Sequence, residues 1–123
     1  MKRILIVDDE INSRRLLKEI LSDSEVDLDI LEAKDGDEAM KLIREEQPFL
    51  VLLDGKIPEI SGYDICRILK KDVQYKNIII ALITGSERET SDEKDAFNLA
   101  DYVVLKPYDE SVIYDIVNES SKR

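Results

Sequence analysis

Val7 ends an apolar run and is followed by Asp8, Asp9 and Glu10; a second run ends at Asp54, a third at Thr84, and a fourth leads into Lys106 and Pro107. Four strand ends thus deliver three carboxylates, one hydroxyl and one ammonium. In an open parallel sheet the ligand crevice lies outside the carboxyl ends of the strands, so groups far apart in sequence can converge there. Crowded carboxylates raise one another's pKa unless a cation neutralises them. Asp8, Asp9 and Asp54 therefore ask for a hard divalent metal, and Lys106 is left to meet a further anion. Together they compose a magnesium-dependent phosphate site built on an aspartate.

The elements that must hold these groups read as short apolar runs. Ile4–Val7, Leu50–Leu53, Ile78–Ile83 and Tyr102–Leu105 are continuous rather than alternating, the pattern of strands buried on both faces of a parallel sheet. Leu28–Leu31 is a weaker fifth strand, expected nearer an edge. Between the strands the apolar period becomes helical. From Ile11 to about Leu21, residues Leu16, Leu17, Ile20 and Leu21 share a face. A second helix, about Asp37 to Gln47, turns Ala39, Met40, Leu42 and Ile43 inward and is stopped by Pro48. Ser61 to Asp64 is a capping-box candidate for a third, which buries Ile65, Ile68 and Leu69. The fifth, about Asp109–Ser120, packs through Val112, Ile113, Ile116 and Val117.

The fourth helix is thinly anchored. Ser86 to Asp95 holds no apolar side chain, leaving Ala96, Phe97 and Leu99 to attach it, and capping signals overlap at Ser86…Glu89 and Thr90…Glu93. So little buried area makes it the expected weak point of the fold. Strand–helix alternation with short connections predicts a right-handed, doubly wound α/β sandwich of five strands and five helices.

A chain of 123 residues predicts one domain, residues 1–123, around a single core. The net charge of −10 argues against direct binding of nucleic acid, which needs patches of Lys and Arg. Cys66 is the one cysteine, so no internal disulfide forms, which suits a reducing compartment. Met1, Lys2, Arg3 and four apolar residues are too short for a signal peptide, and no run approaches a membrane span. A cytoplasmic location is expected. The chain has no histidine, which removes histidine triads, histidine–metal sites and a phosphohistidine donor of its own.

Each site residue also has a purely structural explanation. Asp8 and Asp9 could cap the first helix, although one aspartate would satisfy the cap. Asp54-Gly55 is a common turn dipeptide, Thr84-Gly85 could be a strand end and turn, and Lys106 could be extended because Pro107 follows. These readings do not explain why all the residues fall at carboxyl ends flanking one switch point.

The segments ILIVDDE at 4–10, LLDGKIPEISG at 52–62, ITG at 83–85 and ADYVVLKP at 100–107, in this order and spacing, resemble the receiver domain of bacterial two-component response regulators over essentially the whole chain. The resemblance implies a flavodoxin-like strand order of 2-1-3-4-5, with Asp8, Asp9 and Asp54 at the switch point between the first and third strands. It implies that Asp54 accepts a phosphoryl group from a phosphohistidine donor, on a sensor histidine kinase or a histidine phosphotransfer protein. It implies Mg²⁺ held by Asp9, Asp54 and the backbone carbonyl of Lys56, with Asp8 acting through water. Lys106 resembles the lysine that pairs with a phosphoryl oxygen, and Thr84 the hydroxyl that moves to the new phosphate. Output is expected at the face of the fourth helix, fifth strand and fifth helix, toward a downstream protein or a second copy of the chain.

The chain departs from that pattern in three places. The aromatic switch residue of the family falls at Val103, and Tyr102, one residue earlier, points to the opposite face of its strand unless a bulge intervenes. Leu99 stands where a glycine commonly ends the fourth helix, so Asn98 is the expected left-handed residue. Lys56 brings a second ammonium near the mouth of the site, and also reads as a solvated loop lysine.

The function that follows is a phosphorylation-controlled switch that catalyses only its own phosphoryl transfer and hydrolysis. The alternative is a phosphorylation-independent protein-binding module on the same scaffold. A dedicated enzyme is disfavoured. A dehalogenase-like phosphatase needs a second aspartate where Lys56 stands, and Gly36, Gly55, Gly62 and Gly85 never approach P-loop spacing.

Overall fold

Apolar runs become strands here because helices cover both faces of the sheet they form. In the computed structural model, which describes residues 2–85 and 91–123, β1 (Lys2–Val7), β2 (Leu28–Ala33), β3 (Leu50–Asp54), β4 (Ile79–Thr84) and β5 (Tyr102–Leu105) alternate with helices. The helices are α1 (Ile11–Ser22), α2 (Gly36–Glu46), α3 (Gly62–Lys71), α4 (Ser91–Leu99) and α5 (Glu110–Ser121). The strands pair in parallel in the order β2-β1-β3-β4-β5, the order the resemblance implies. β2 is an edge strand, and only Ala33 of its six residues is buried.

Alternation along each strand sorts the core into two layers. Leu5, Val7, Val51, Leu53, Ile80 and Leu82 face α2, α3 and α4, where they meet Ala39, Ile43, Ile65, Cys66, Leu69 and Phe97. Ile4, Ile6, Leu50, Leu52, Ala81 and Ile83 face α1 and α5, against Leu17, Ile20, Leu21, Ile113, Ile116 and Val117. This parity decides on which side of the sheet each strand-end side chain emerges.

The caps follow local chemistry. Asp35 accepts the Glu38 N–H at 2.8 Å to start α2, and the Ser61 hydroxyl accepts the Asp64 N–H at 3.1 Å to start α3, as its capping signal predicts. Gln47 ends α2 in the left-handed region at φ 47° and hands the chain to Pro48. The overlapping signals proposed for the start of α4 depend on residues 86–90, outside those described.

Four expectations need correction. Leu16, Ile68 and Val112, assigned to buried faces, are 48%, 45% and 37% exposed. Each flanks a stripe already filled by its neighbours: Leu17, Ile20 and Leu21 in α1, Cys66 and Leu69 in α3, Ile113 and Val117 in α5. Helical period gives the direction of the buried stripe but not its width, which the sheet sets. Asn98 is not left-handed; among the described non-glycine residues only Gln47 and Glu59 have positive φ. α4 stays helical through Leu99, and the Ala100 N–H donates to Ala96 O at 2.9 Å. Asp101 then makes the turn into β5, its carboxylate accepting the Ile80 N–H at 2.8 Å and pairing with Lys70 at 2.5 Å.

Candidate functional site

Asp8 follows the last residue of β1 and is nearly closed off from solvent, at 4% exposure. Its Oδ1 accepts the Glu10 N–H at 2.9 Å, and its carbonyl accepts the Arg14 guanidinium at 2.8 Å. Arg14 is itself held by Glu32 at 3.1 Å. Asp9 is exposed. Asp54 is the last residue of β3, and its Oδ1 accepts the Lys56 N–H at 3.0 Å. Oxygens of Asp8, Asp9 and Asp54 all lie within 4.8 Å of one another, the arrangement expected at the switch point. Lys106 closes the group from the far side, with Nζ 3.3 Å from Asp54 Oδ2 and 3.9 Å from Asp8 Oδ2.

The electrostatics follow from this crowding. Burial pushes the Asp8 carboxyl above its ordinary range, and the Asp54 and Asp9 charges add to that. The Glu10 N–H and the Lys106 ammonium oppose it without cancelling it. Within the cluster three carboxylates face the single ammonium of Lys106.

The third helix is brought hard against this group. The Gly62 N–H donates to Gly55 O at 2.9 Å, and a Cβ on Gly62 would sit 2.0 Å from Asp54 O, so only glycine allows the approach. A Cβ on Gly55 would sit 2.4 Å from the Tyr63 ring, which therefore lies directly over the loop after Asp54. On the α1 side, Ser13, Leu16, Leu17, Pro107 and Tyr108 join Asp8, Asp54 and Lys106 around a pocket of about 380 Å³. Leu16 thus lines the mouth rather than the core.

Thr84 behaves differently from the other predicted site residues. Asp54 follows the parity of Leu50 and Leu52 and emerges on the α1/α5 face, whereas Thr84 follows Ile80 and Leu82 onto the α3/α4 face. There it is 1% exposed, and its hydroxyl lies 2.7 Å from the Tyr63 hydroxyl. Asp8, Asp9, Asp54 and Lys106 are therefore brought together, and the Thr84 hydroxyl is engaged with α3. Lys56 contributes its N–H to Asp54 and keeps an exposed side chain, in line with a solvated loop lysine.

Residues 4–118 match the family model described as response regulator receiver domain. The chain belongs to that family. It is 38% identical over 108 residues to a probable transcriptional regulator ycf27 of Porphyridium aerugineum, which covers 87% of this chain and 42% of that protein. It thus spans about two-fifths of the length of this curated relative. The Mg²⁺–BeF complex of the response regulator TrrA of Thermotoga maritima is 36% identical, with a TM-score of 0.83 and coverage of 98% of this chain and 99% of that one. A signal receiver domain of a DNA-binding response regulator from Colwellia psychrerythraea shares the fold with a TM-score of 0.88 over the full length of both chains, at 23% identity.

In this receiver domain the unusual fifth strand is resolved plainly. β4 and β5 pair without a bulge from Ala81↔Tyr102 to Thr84↔Leu105. Tyr102 accordingly packs on the α1/α5 layer with the Arg123 guanidinium 5.6 Å from its ring centre, and Val103 packs on the α3/α4 layer. Tyr102 does not stand in for the missing aromatic. Sequence reading overlooked Tyr63 and Tyr108 as site residues. The signal for Tyr63 was available: an aromatic directly after Gly62 and close behind Gly55, the two glycines whose lack of side chain admits its ring.

Proposed function

We propose that this chain is a phosphoacceptor switch in which Asp54 takes a phosphoryl group from a phosphohistidine donor in a Mg²⁺-dependent reaction. The observation that carries the reading is the set of three clustered carboxylates with Lys106 3.3 Å from the Asp54 oxygen. An Asp54 oxygen attacks phosphorus, the P–N bond to the donor imidazole breaks, and an acyl phosphate forms. Lys106, already paired to that carboxylate, moves its ammonium onto a phosphoryl oxygen. The Lys56 N–H holds the other carboxylate oxygen and orients the nucleophile.

All the side-chain donors are hard oxygens, which fits a small divalent cation better than a soft one. Asp9, Asp54 and the Lys56 carbonyl would hold Mg²⁺ directly, with Asp8 acting through water. Such a cation supplies charge neutralisation for the phosphoryl oxygens during in-line transfer. The Thermotoga relative, solved in complex with Mg²⁺–BeF, supports a divalent cation at this cluster.

Thr84 is the hydroxyl that engages the phosphoryl group once it is attached. The donor is a sensor histidine kinase or a histidine phosphotransfer protein, in a cytoplasmic setting; no helix of the described residues is long and apolar enough to cross a membrane. Output runs through the α4–β5–α5 face, where Leu105 is 48% and Val112 37% exposed, toward a downstream protein or effector domain. The activity is limited to the domain's own phosphorylation and dephosphorylation.

Incubation with acetyl phosphate and Mg²⁺ tests the assignment. Acid-labile phosphate should accumulate on the wild type and be lost in Asp54→Asn. Label that survives in the variant and maps to Asp8 or Asp9 would overturn it.

A further inference from the structure

Thr84 and Tyr63 are separated by 21 residues, yet their hydroxyls meet at 2.7 Å in a buried setting, with Thr84 1% and Tyr63 6% exposed. Whichever hydroxyl donates, so short a bond fixes the Thr84 side chain on the α3 side of the sheet. The phosphoacceptor carboxylate lies on the other side. The Tyr63 ring is held in turn. It rests on the Gly55 backbone, and its centre lies 6.2 Å from that of Phe97 at a tilt of 50°. Phe97 is one of the few apolar anchors of α4, and Cys66, a turn further along α3, donates to Ala96 O on the same helix at 3.6 Å. Tyr63 therefore touches three parts of the switch at once: the loop after Asp54, the hydroxyl of Thr84 and the anchor of α4.

We propose that Tyr63 is a positioning residue that latches Thr84 in the unphosphorylated arrangement and transmits its release to α4 through Phe97. This rests on the phosphoacceptor reading of Asp54. It gives the domain a coupling element on α3, where β5 carries Val103 at the position of the family's aromatic. When a phosphoryl group draws the Thr84 hydroxyl toward Asp54, the bond to Tyr63 is given up, and the packing of the aromatic ring against Phe97 shifts with it. The latch opposes activation, so weakening it should favour the activated arrangement.

The test is a double-mutant cycle read by beryllofluoride binding in the presence of Mg²⁺. Tyr63→Phe removes one oxygen and keeps the ring on Gly55 and Phe97. It should tighten beryllofluoride binding about three- to tenfold, the factor that a buried neutral hydrogen bond of ordinary net strength commands. In a Thr84→Val background, which lacks the partner hydroxyl, the same substitution should change affinity less than about twofold, because the coupling has gone. A ring with a merely structural role would act equally in both backgrounds. Unchanged or weaker binding by Tyr63→Phe, or an equal effect with Thr84→Val, would overturn the latch while leaving Asp54 as acceptor. Failure of every chain to bind beryllofluoride, the wild type included, would overturn the phosphoacceptor reading and the latch with it.

Discussion

Replacing Asp8 by asparagine should make the metal-free protein more stable, although it removes a residue of the proposed site. Asn keeps the shape and an oxygen to accept the Glu10 N–H, and it removes the charge. At the 4.8 Å that bounds the cluster, the repulsion between Asp8 and Asp54 is about 3.5 kcal/mol at an effective dielectric of about 20. The Lys106 ammonium, 3.9 Å from Asp8, returns an attraction of about 4 kcal/mol by the same rule, reduced because Lys106 is 36% exposed. These two nearly cancel. What remains is the burial of the Asp8 charge and a screened repulsion from the exposed Asp9. Removing them should raise the melting temperature by a few degrees, the shift that about 1 kcal/mol produces in a domain of this size.

The sign with pH is fixed by the raised Asp8 pKa. The folded state takes up the proton more readily than the unfolded chain, so the wild type regains stability as pH falls toward the ordinary value of 3.8. The advantage of Asp8→Asn should therefore be absent at pH 3.5 and open as pH rises through the raised pKa. Mg²⁺ works against the variant. At ten times its dissociation constant the wild type gains about 1.4 kcal/mol, and a site short of one carboxylate gains less. Calorimetric melting in EDTA and in Mg²⁺, across pH, reads all three effects. A variant less stable than the wild type in EDTA at neutral pH would refute the reasoning.

Asp9→Ala should remove most of the Mg²⁺-dependent rise in melting temperature, and a wild type indifferent to Mg²⁺ would count against the metal site. Gly62→Ala should cost about 2–3 kcal/mol in denaturant unfolding, because its Cβ would meet Asp54 O at 2.0 Å and α3 must move away. Cys66, buried and pushed up to about 12, should resist thiol reagents at pH 8 in the folded protein and react fully in denaturant; native labelling at the rate of a free thiol would contradict its placement. Beryllofluoride with Mg²⁺ should change amide exchange most across α4, residues 91–99, and less in α2; the reverse order would refute the route of signal.

Much of this was legible in the sequence for a reason that can be named. Strands buried on both faces must be continuously apolar, so Leu50–Leu53 and Tyr102–Leu105 stand out, and a carboxylate that ends such a run must sit at the carboxyl edge of the sheet. That reasoning places Asp8, Asp54 and Lys106 without any structure. It cannot place Tyr63. On a helix, an aromatic beside apolar residues reads as core, and its contact with Thr84 depends on how closely α3 approaches the loop after Asp54. That distance is set by Gly55 and Gly62, whose significance lies in atoms they lack. The exposure of Leu16, Ile68 and Val112 was hidden for a related reason: period fixes the direction of a buried stripe, whereas the sheet beneath fixes its width.

The two-layer core also explains why a small charge event could reach a distant face. Asp54, Asp8 and Lys106 gather at the end of the sheet, with Asp54 on the α1/α5 side, while α4 packs on the other side. The backbone at their junction is stitched in place, with the Gly55 N–H donating to Ile83 O at 3.1 Å and the Lys106 N–H to Thr84 O at 2.9 Å. Main-chain movement of Thr84 would break these bonds, so the cheaper response to a new phosphoryl group is rotation of its side chain. Thr84 is the last residue of β4, so its side chain stands at the carboxyl end of the sheet rather than in mid-strand. A rotation there exchanges one hydrogen bond for another, at a net cost of about 1 kcal/mol either way. A helix attached mainly through Ala96, Phe97 and Leu99 is expected near the bottom of the local stability range, where a bias of that order would change its population severalfold.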